Sequence, residues 1–429
     1  MKIALQRIEE QDKIIDSLKK EIQLYKNSNT PSSANKHLKP NTQGNKTKAN
    51  SKRGAPIGHI GKTRAQTPQR KEIIDTNECP FCHGHRLADD KVIKQIVEEV
   101  EEPEPPEIVE NEIHKKKCLD CNKTFIPPQN ETPLEGSFGV NLMVMVVFIK
   151  FLLRGVLRKT AKFLETSHSF TITPAALNEI ITRVASAADK EYEEMKLRIK
   201  NAVKIYIDET SFSVLGKNYW LWVFRTENDV LYVIRPSRGS NVLEEILGKE
   251  YSGTIICDCW RAYNFLALAN IQRCWSHLLR KSKDLLSVPG KNAHNKLQDL
   301  FDEIKKYNSK NHTQEQRLEK YDGLTAKLED IIVYYSGYPE LEPVMKYINF
   351  NLENWFTCIK IEGIEPTNNY AEQAIREPVI VRKIIGAFRS ETGKDNYEKL
   401  ASVIASWQLR GLDLKSELKE MLIRNLCLS

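Results

Sequence analysis

Several things are scarce in this chain of 429 residues. No acidic residue stands between Glu21 and Glu72, so that stretch can form no internal ion pairs. The longest apolar run, 142–153, is too short to span a bilayer and is broken by Lys150. The N-terminus lacks an apolar core followed by a small-residue cleavage site, which removes the case for export. Cysteines number nine, an odd and uneven set that does not make a disulfide framework. A reducing cytoplasm, away from any membrane, is the expected location.

Charge is plentiful but unevenly spread. Residues 1–75 hold 16 Lys/Arg against 7 Asp/Glu, or +9, and the remaining 48 and 50 give −2, within a total of +7. A basic excess confined to one end suggests a nucleic-acid arm.

Residues 1–27 are expected to form a coiled-coil helix. Ile8, Ile15 and Ile22 follow heptad spacing, with Leu18 and Tyr25 on the alternate seam and Gln11 interrupting it. The helix either pairs protomers or docks on its own chain. Residues 28–75 read as a flexible basic linker, too poor in apolar surface to offset ordering entropy. In it, Lys52, Arg53, Lys62 and Arg64 flank Gly54-Ala55-Pro56-Ile57-Gly58-His59-Ile60-Gly61. They either track DNA phosphates or solubilise a tether.

Residues 76–128 contain Cys79-Pro80-Phe81-Cys82 and Cys118-Leu119-Asp120-Cys121, separated by a Glu-rich insert. Two Cys-x-x-Cys pairs can present four thiolates tetrahedrally, so a structural Zn2+ ribbon is expected, with a redox role as the alternative for a single pair. Residues 129–200 read as a helical, DNA-binding segment. They include an apolar helix over 142–156 and another opened by Thr173-Pro174.

From 201 the period changes. Short apolar strands are expected over 203–207, 219–225, 230–235, 254–257 and 271–274, with a helix after the third. That helix is expected to start in a capping box of Asn241 and Glu244 and to close at Gly248. Asp208 and Asp258 then fall at the ends of the first and fourth strands, where a crossover connection could bring both to one crevice. Residues 288–362 read as a helical insertion, after which Glu372 returns on a helix that Pro378 should end or kink. Three carboxylates offer hard oxygen donors suited to Mg2+ or Mn2+. Each also has a plainer reading, as a turn-starting Asp or, for Glu372, as partner of an N-capping Asn369.

The order of motifs resembles that of transposases of the insertion sequence 66 family. The matches begin with the N-terminal helix, Asn27-Ser28-Asn29-Thr30-Pro31-Ser32-Ser33, the Gly-Ala-Pro-Ile-Gly-His segment and the two Cys pairs. They continue with Ile207-Asp208-Glu209-Thr210, Cys257-Asp258-Cys259-Trp260-Arg261-Ala262-Tyr263 and Trp275-Ser276-His277-Leu278-Leu279-Arg280-Lys281. Asn368-Asn369-Tyr370-Ala371-Glu372-Gln373-Ala374-Ile375-Arg376 and a Gly-Ala-Phe-Arg stretch complete the set.

The resemblance implies a multidomain α/β chain with a ribonuclease-H-like catalytic core, in 201–287 and 363–429. It implies a DDE triad of Asp208, Asp258 and Glu372 binding magnesium, with Glu209, His277, Asn369 and Arg376 nearby and Arg376 meeting DNA. The implied activity cleaves the ends of a mobile element and joins the 3′-hydroxyl to target DNA. Expected partners are element ends, target DNA, a second protomer or a larger assembly, and accessory proteins of the same element. A catalytically silent DNA-binding regulator and a nuclease without strand joining are the alternatives. Thr367 and Gln373 depart from the family's usual Asp and Arg.

Overall fold

The computed structural model describes residues 67–88, 91–98, 100–127 and 131–427. The expected coiled coil and Lys52, Arg53, Lys62 and Arg64 lie outside them. The described residues fall into two units that divide after Pro106. The smaller one carries the Cys79–Cys82 turn, and no helix or strand occurs among its described residues. The larger begins with a hairpin of β1 (Lys116–Lys117) and β2 (Thr124–Phe125), which frames Cys118 and Cys121.

Four helices follow: α1 (Val140–Phe151), α2 (Leu157–His168), α3 (Pro174–Ala187) and α4 (Asp189–Lys200). The first expected helix stops short of 156. Arg154 adopts φ 56°, and Gly155 lies where a Cβ would stand 2.8 Å from the Ile149 carbonyl oxygen. Thr173 caps α3 as expected, accepting from the Ala176 N–H at 3.1 Å. Among the described residues no helix is long and apolar enough to cross a membrane. The apolar α1 spends its side chains instead on the protein core.

A mixed sheet is built from β3 (Lys204–Val214), β4 (Lys217–Arg225), β5 (Val230–Arg235), β6 (Thr254–Cys257) and β7 (Asn270–Arg273). The spatial order is β5-β4-β3-β6-β7. The first three strands are antiparallel, and β6 and β7 run parallel to β3. The crossover to β6 contains α5 (Ser240–Leu247). Its expected capping box is absent. The helix starts two residues early, with Gly239 as its N-cap, and the Asn241 Oδ1 accepts instead from Ser237 Oγ at 2.6 Å.

Both faces of the sheet are buried, which is why its strands read as nearly continuous apolar runs. With a period of two, Ile205 and Ile207 enter one core with α1, α3, α4 and α5. Tyr206, Phe212 and Val214 enter the other, with α6 (Trp275–Lys283), α7 (Val288–Asn308), α8 (Gln314–Tyr335), α9 (Glu342–Phe350), α10 (Thr357–Lys360) and α11 (Asn369–Ile385). Helices α7 to α10 fall between residues 288 and 360.

The last α-helices are α12 (Glu391–Leu409) and α13 (Leu414–Leu422), the latter running into a π-helical turn at Ile423–Cys427. Helix α12 covers the outer edge of β5. Glu398, Ser402 and Ser406 accept from the Ile234, Tyr232 and Val230 N–H groups, each at 2.8 Å. Two strand residues advance about 6.7 Å and four helix residues about 6 Å, so the two ladders stay in step. At the opposite margin α10 meets β7: Thr357 Oγ1 donates to the Ile271 carbonyl at 2.6 Å, and the Cys358 N–H donates to Gln272 Oε1 at 2.7 Å.

Candidate functional site

The first strand is longer than the sequence suggests, and this relocates Asp208. Strand β3 continues to Val214 and turns through Leu215 and Gly216, both at positive φ (51° and 76°), directly into β4. Asp208 is therefore in mid-strand, not at a strand end. Its special position comes from β6, whose pairing with β3 stops at Tyr206↔Ile256. Asp208 and Asp258 each stand two residues beyond that last pair. Continuing the register sets them side by side where the neighbouring strand gives out.

Parity fixes the face. Asp208 shares the side of Tyr206, Phe212 and Val214, and Asp258 continues the side of Ile256; both lie toward the core that α11 covers. Glu209, one residue on, points to the opposite core. There its carboxylate accepts from Tyr263 Oη at 2.5 Å and Arg238 Nε at 2.8 Å.

Helix α11 is tied to β3 along its length. Asn368 Nδ2 donates to the Ile207 carbonyl at 2.7 Å, its N–H donates to Cys274 Sγ at 3.1 Å, and Arg382 Nη1 donates to Thr210 Oγ1 at 3.0 Å. The N-cap is thus the buried Asn368, whereas Asn369 is the exposed first helical residue. Glu372 makes no side-chain capping bond, which corrects the plainer reading of that carboxylate. Pro378 does not end the helix. The Ala374 carbonyl, which loses its helical donor there, accepts from Tyr232 Oη at 2.8 Å.

The carboxylates sense one another. Burial, reinforced by the charges of Glu209, Asp258 and Glu372, pushes Asp208 up to about 8, against a hydrogen bond from the Glu209 N–H at 2.9 Å. Burial, then Asp258, also raises Glu209, with Tyr263 and Arg238 pulling it back. Asp258 Oδ1 accepts from the Trp260 N–H at 2.8 Å. Glu372 leans toward α6: its Oε1 lies 3.6 Å from His277 Nδ1, and its Oε2 lies 3.7 Å from an Arg280 guanidinium nitrogen. Glu372 Oε1 is buried without a hydrogen-bond partner. The raised Asp208 carboxyl and the orphaned Glu372 oxygen mark a site short of positive charge, lined by oxygen donors of the kind a hard divalent cation takes, although the three carboxylates do not close to within 4.8 Å as a group.

Arg376 stands exposed one turn after Glu372. Gln373 faces away from the carboxylates, into a cavity of about 700 Å³ also lined by Lys150, Arg225 and Tyr232.

The Transposase IS66 family matches residues 135–396, more than half of the chain and the stretch that holds Asp208, Asp258 and Glu372. The chain belongs to that family. Two relatives of this IS66 transposase family member come from Sinorhizobium fredii. The uncharacterized protein y4hP is 21% identical over 83% of this chain and 72% of its own length. The uncharacterized protein y4qI is 25% identical over 53% of this chain and 48% of its own length.

The cysteine pairs lie before the matched stretch, and each forms the same local turn. The Cys79 N–H donates to the Gly84 carbonyl at 3.0 Å and the Cys118 N–H to the Lys123 carbonyl at 2.8 Å, each five residues on. The residue after each second cysteine, His83 or Asn122, is left-handed (φ 57° and 62°). Backbone N–H groups of Phe81 and Cys82 lower the Cys79 thiol, and those of Cys121 and Asp120 lower Cys118. Both turns favour thiolates. Reasoning from sequence missed Asn368 and Cys274; the signal for the latter was its spacing of three residues from His277.

Proposed function

We propose that this protein is a DDE transposase with a ribonuclease-H-like core, which cuts DNA at the ends of a mobile element and joins the freed 3′-hydroxyl to target DNA. The observation that carries the reading is the shared register of Asp208 and Asp258 at the point where β6 gives out, on the sheet face that bears Glu372. Asp208, Asp258 and Glu372 would hold magnesium or manganese. Such ions, when bound as a pair, activate the attacking oxygen and stabilise the leaving one in an in-line displacement.

The protein's own part is placement. The Asn368 and Arg382 bonds hold α11 to the strand that carries Asp208, which would let Glu372 join the two aspartates. Arg376 on the exposed side of α11 is suited to a DNA phosphate. Lys52, Arg53, Lys62 and Arg64 would add sequence-independent backbone contacts. The turns that lower the Cys79 and Cys118 thiols suit each Cys-x-x-Cys pair to a metal ion of the zinc type. Two DNA ends require two active sites, hence a dimer or larger assembly paired through residues 1–27.

Labelled element ends test the reading. Cleavage followed by joining is expected, and Asp258→Asn should abolish cleavage while end binding persists. Binding alone would identify a regulator, and cleavage without joining a nuclease. Full cleavage by Asp258→Asn would discard the site.

A further inference from the structure

Beside the oxygen-only centre is a second set of donors of different chemistry. Among the described residues, one group of three potential ligand atoms lies within 4.8 Å of one another: Cys274 Sγ, His277 Nδ1 and a Glu372 carboxylate oxygen. Cys274 is the N-cap of α6, His277 lies three residues into that helix, and Glu372 occupies the first turn of α11. The helix starts are joined by two backbone amides, Trp275 N–H donating to the Pro366 carbonyl at 3.0 Å and Asn368 N–H donating to the Cys274 side-chain Sγ at 3.1 Å. The three donors therefore sit on a fixed frame.

Two of the three atoms, His277 Nδ1 and Glu372 Oε1, are buried and left without a hydrogen bond. Their separation, 3.6 Å, is too long for a hydrogen bond. It is close to the edge of a tetrahedron whose centre is about 2.1 Å from nitrogen and oxygen, roughly 3.4 Å. A thiol, an imidazole and a carboxylate are the donor types that zinc accepts together, and magnesium does not favour the first two.

We propose that Cys274, His277 and Glu372 bind a thiophilic divalent cation of the zinc type, and that this cation competes with the oxygen-only centre for Glu372. Binding forms metal–sulfur, metal–nitrogen and metal–oxygen bonds and releases the thiol proton to solvent. The fourth position stays open to water. While Glu372 is held by α6 it is withdrawn from Asp208 and Asp258, so occupancy opposes magnesium-dependent cleavage. That consequence rests on the function proposed above; the binding site does not.

The test uses the full chain with Co2+ as the probe, because cobalt–thiolate ligation gives a charge-transfer band. The paired cysteines contribute equally to every variant, so the readout is a difference. Wild type should bind one equivalent more than Cys274→Ser, with a stronger thiolate band, and His277→Gln should bind that equivalent at least tenfold more weakly. Melting in chelator checks folding, and if Cys274→Ser melts early, His277→Gln with its thiol intact carries the comparison. Equal stoichiometry and equal affinity in wild type and His277→Gln overturns the proposal. In excess Mg2+, one equivalent of Zn2+ beyond that taken by the paired cysteines should slow wild-type cleavage at least tenfold. His277→Gln, relative to its own Mg2+-only rate, should change less than twofold. Cleavage insensitive to Zn2+ overturns the competition for Glu372. A lost cobalt equivalent without cleavage by any form would leave the metal site standing and sink the transposase reading.

Discussion

Asp208 and Glu209 are neighbours in sequence, equally acidic, and face opposite cores. Glu209 is fully enclosed and satisfied: Arg238 supplies charge, Tyr263 a hydroxyl, and Trp220 and Trp260 flank the guanidinium at 4.6 and 4.2 Å. Asp208 is half-buried, its carboxylate accepts from one backbone N–H, and the charges around it are negative. The pleat alone separates the two fates. A buried acid that is paired reads as structure; one that is surrounded by like charge reads as a place kept for a cation.

The largest test of this contrast is Asp208→Asn. Cleavage of labelled ends should fall by about a thousandfold or more, roughly 4 kcal/mol of barrier, while the fold is retained. Substantial activity in that variant would remove the distinction. Next, Glu209→Ala should act through the fold, costing about 2 kcal/mol by stripping Tyr263 and Arg238 of their acceptor. Urea unfolding reads this directly; an unchanged midpoint would mean that the pair contributes nothing. The smallest effect, taken per pH unit, is in pH. Folded Asp208 keeps its proton to about 8, whereas the unfolded chain releases it near its ordinary value of 3.8. The folded state therefore binds more protons across that window, and metal-free stability should decline as pH rises through it. The slope attributable to this group is at most about 1.4 kcal/mol per pH unit. Denaturation in chelator at several pH values should show the wild-type slope exceeding that of Asp208→Asn; parallel slopes would contradict the account.

Where the sequence was legible, a simple local rule decided the outcome. Thr173-Pro174 opens α3, 254–257 is a strand, and 230–235 pairs behind a Thr-Glu-Asn-Asp turn, all by patterns that need no tertiary partner. Where it was not, a distant group intervened. Glu209, Thr210 and Ser211 hide the continuation of β3, because their polar side chains find partners on Tyr263, Arg238 and Arg382 far along the chain. Pro378 is accommodated by a tyrosine 146 positions earlier, at 232. The N-cap position falls on Asn368 rather than Asn369, and its side chain binds Ile207 instead of capping the helix. The triad itself was named by resemblance; the register that sets Asp208 beside Asp258 needed the sheet.

The side-chain ladder of Glu398, Ser402 and Ser406 makes α12 a surrogate sixth strand, and α10 meets β7 at the far margin. An invading β-segment from another chain would have to displace that helix before it could find a free amide on β5. The sheet is thereby closed to augmentation on that side. Copies of the protein cannot pair edge to edge through β5 while α12 is in place.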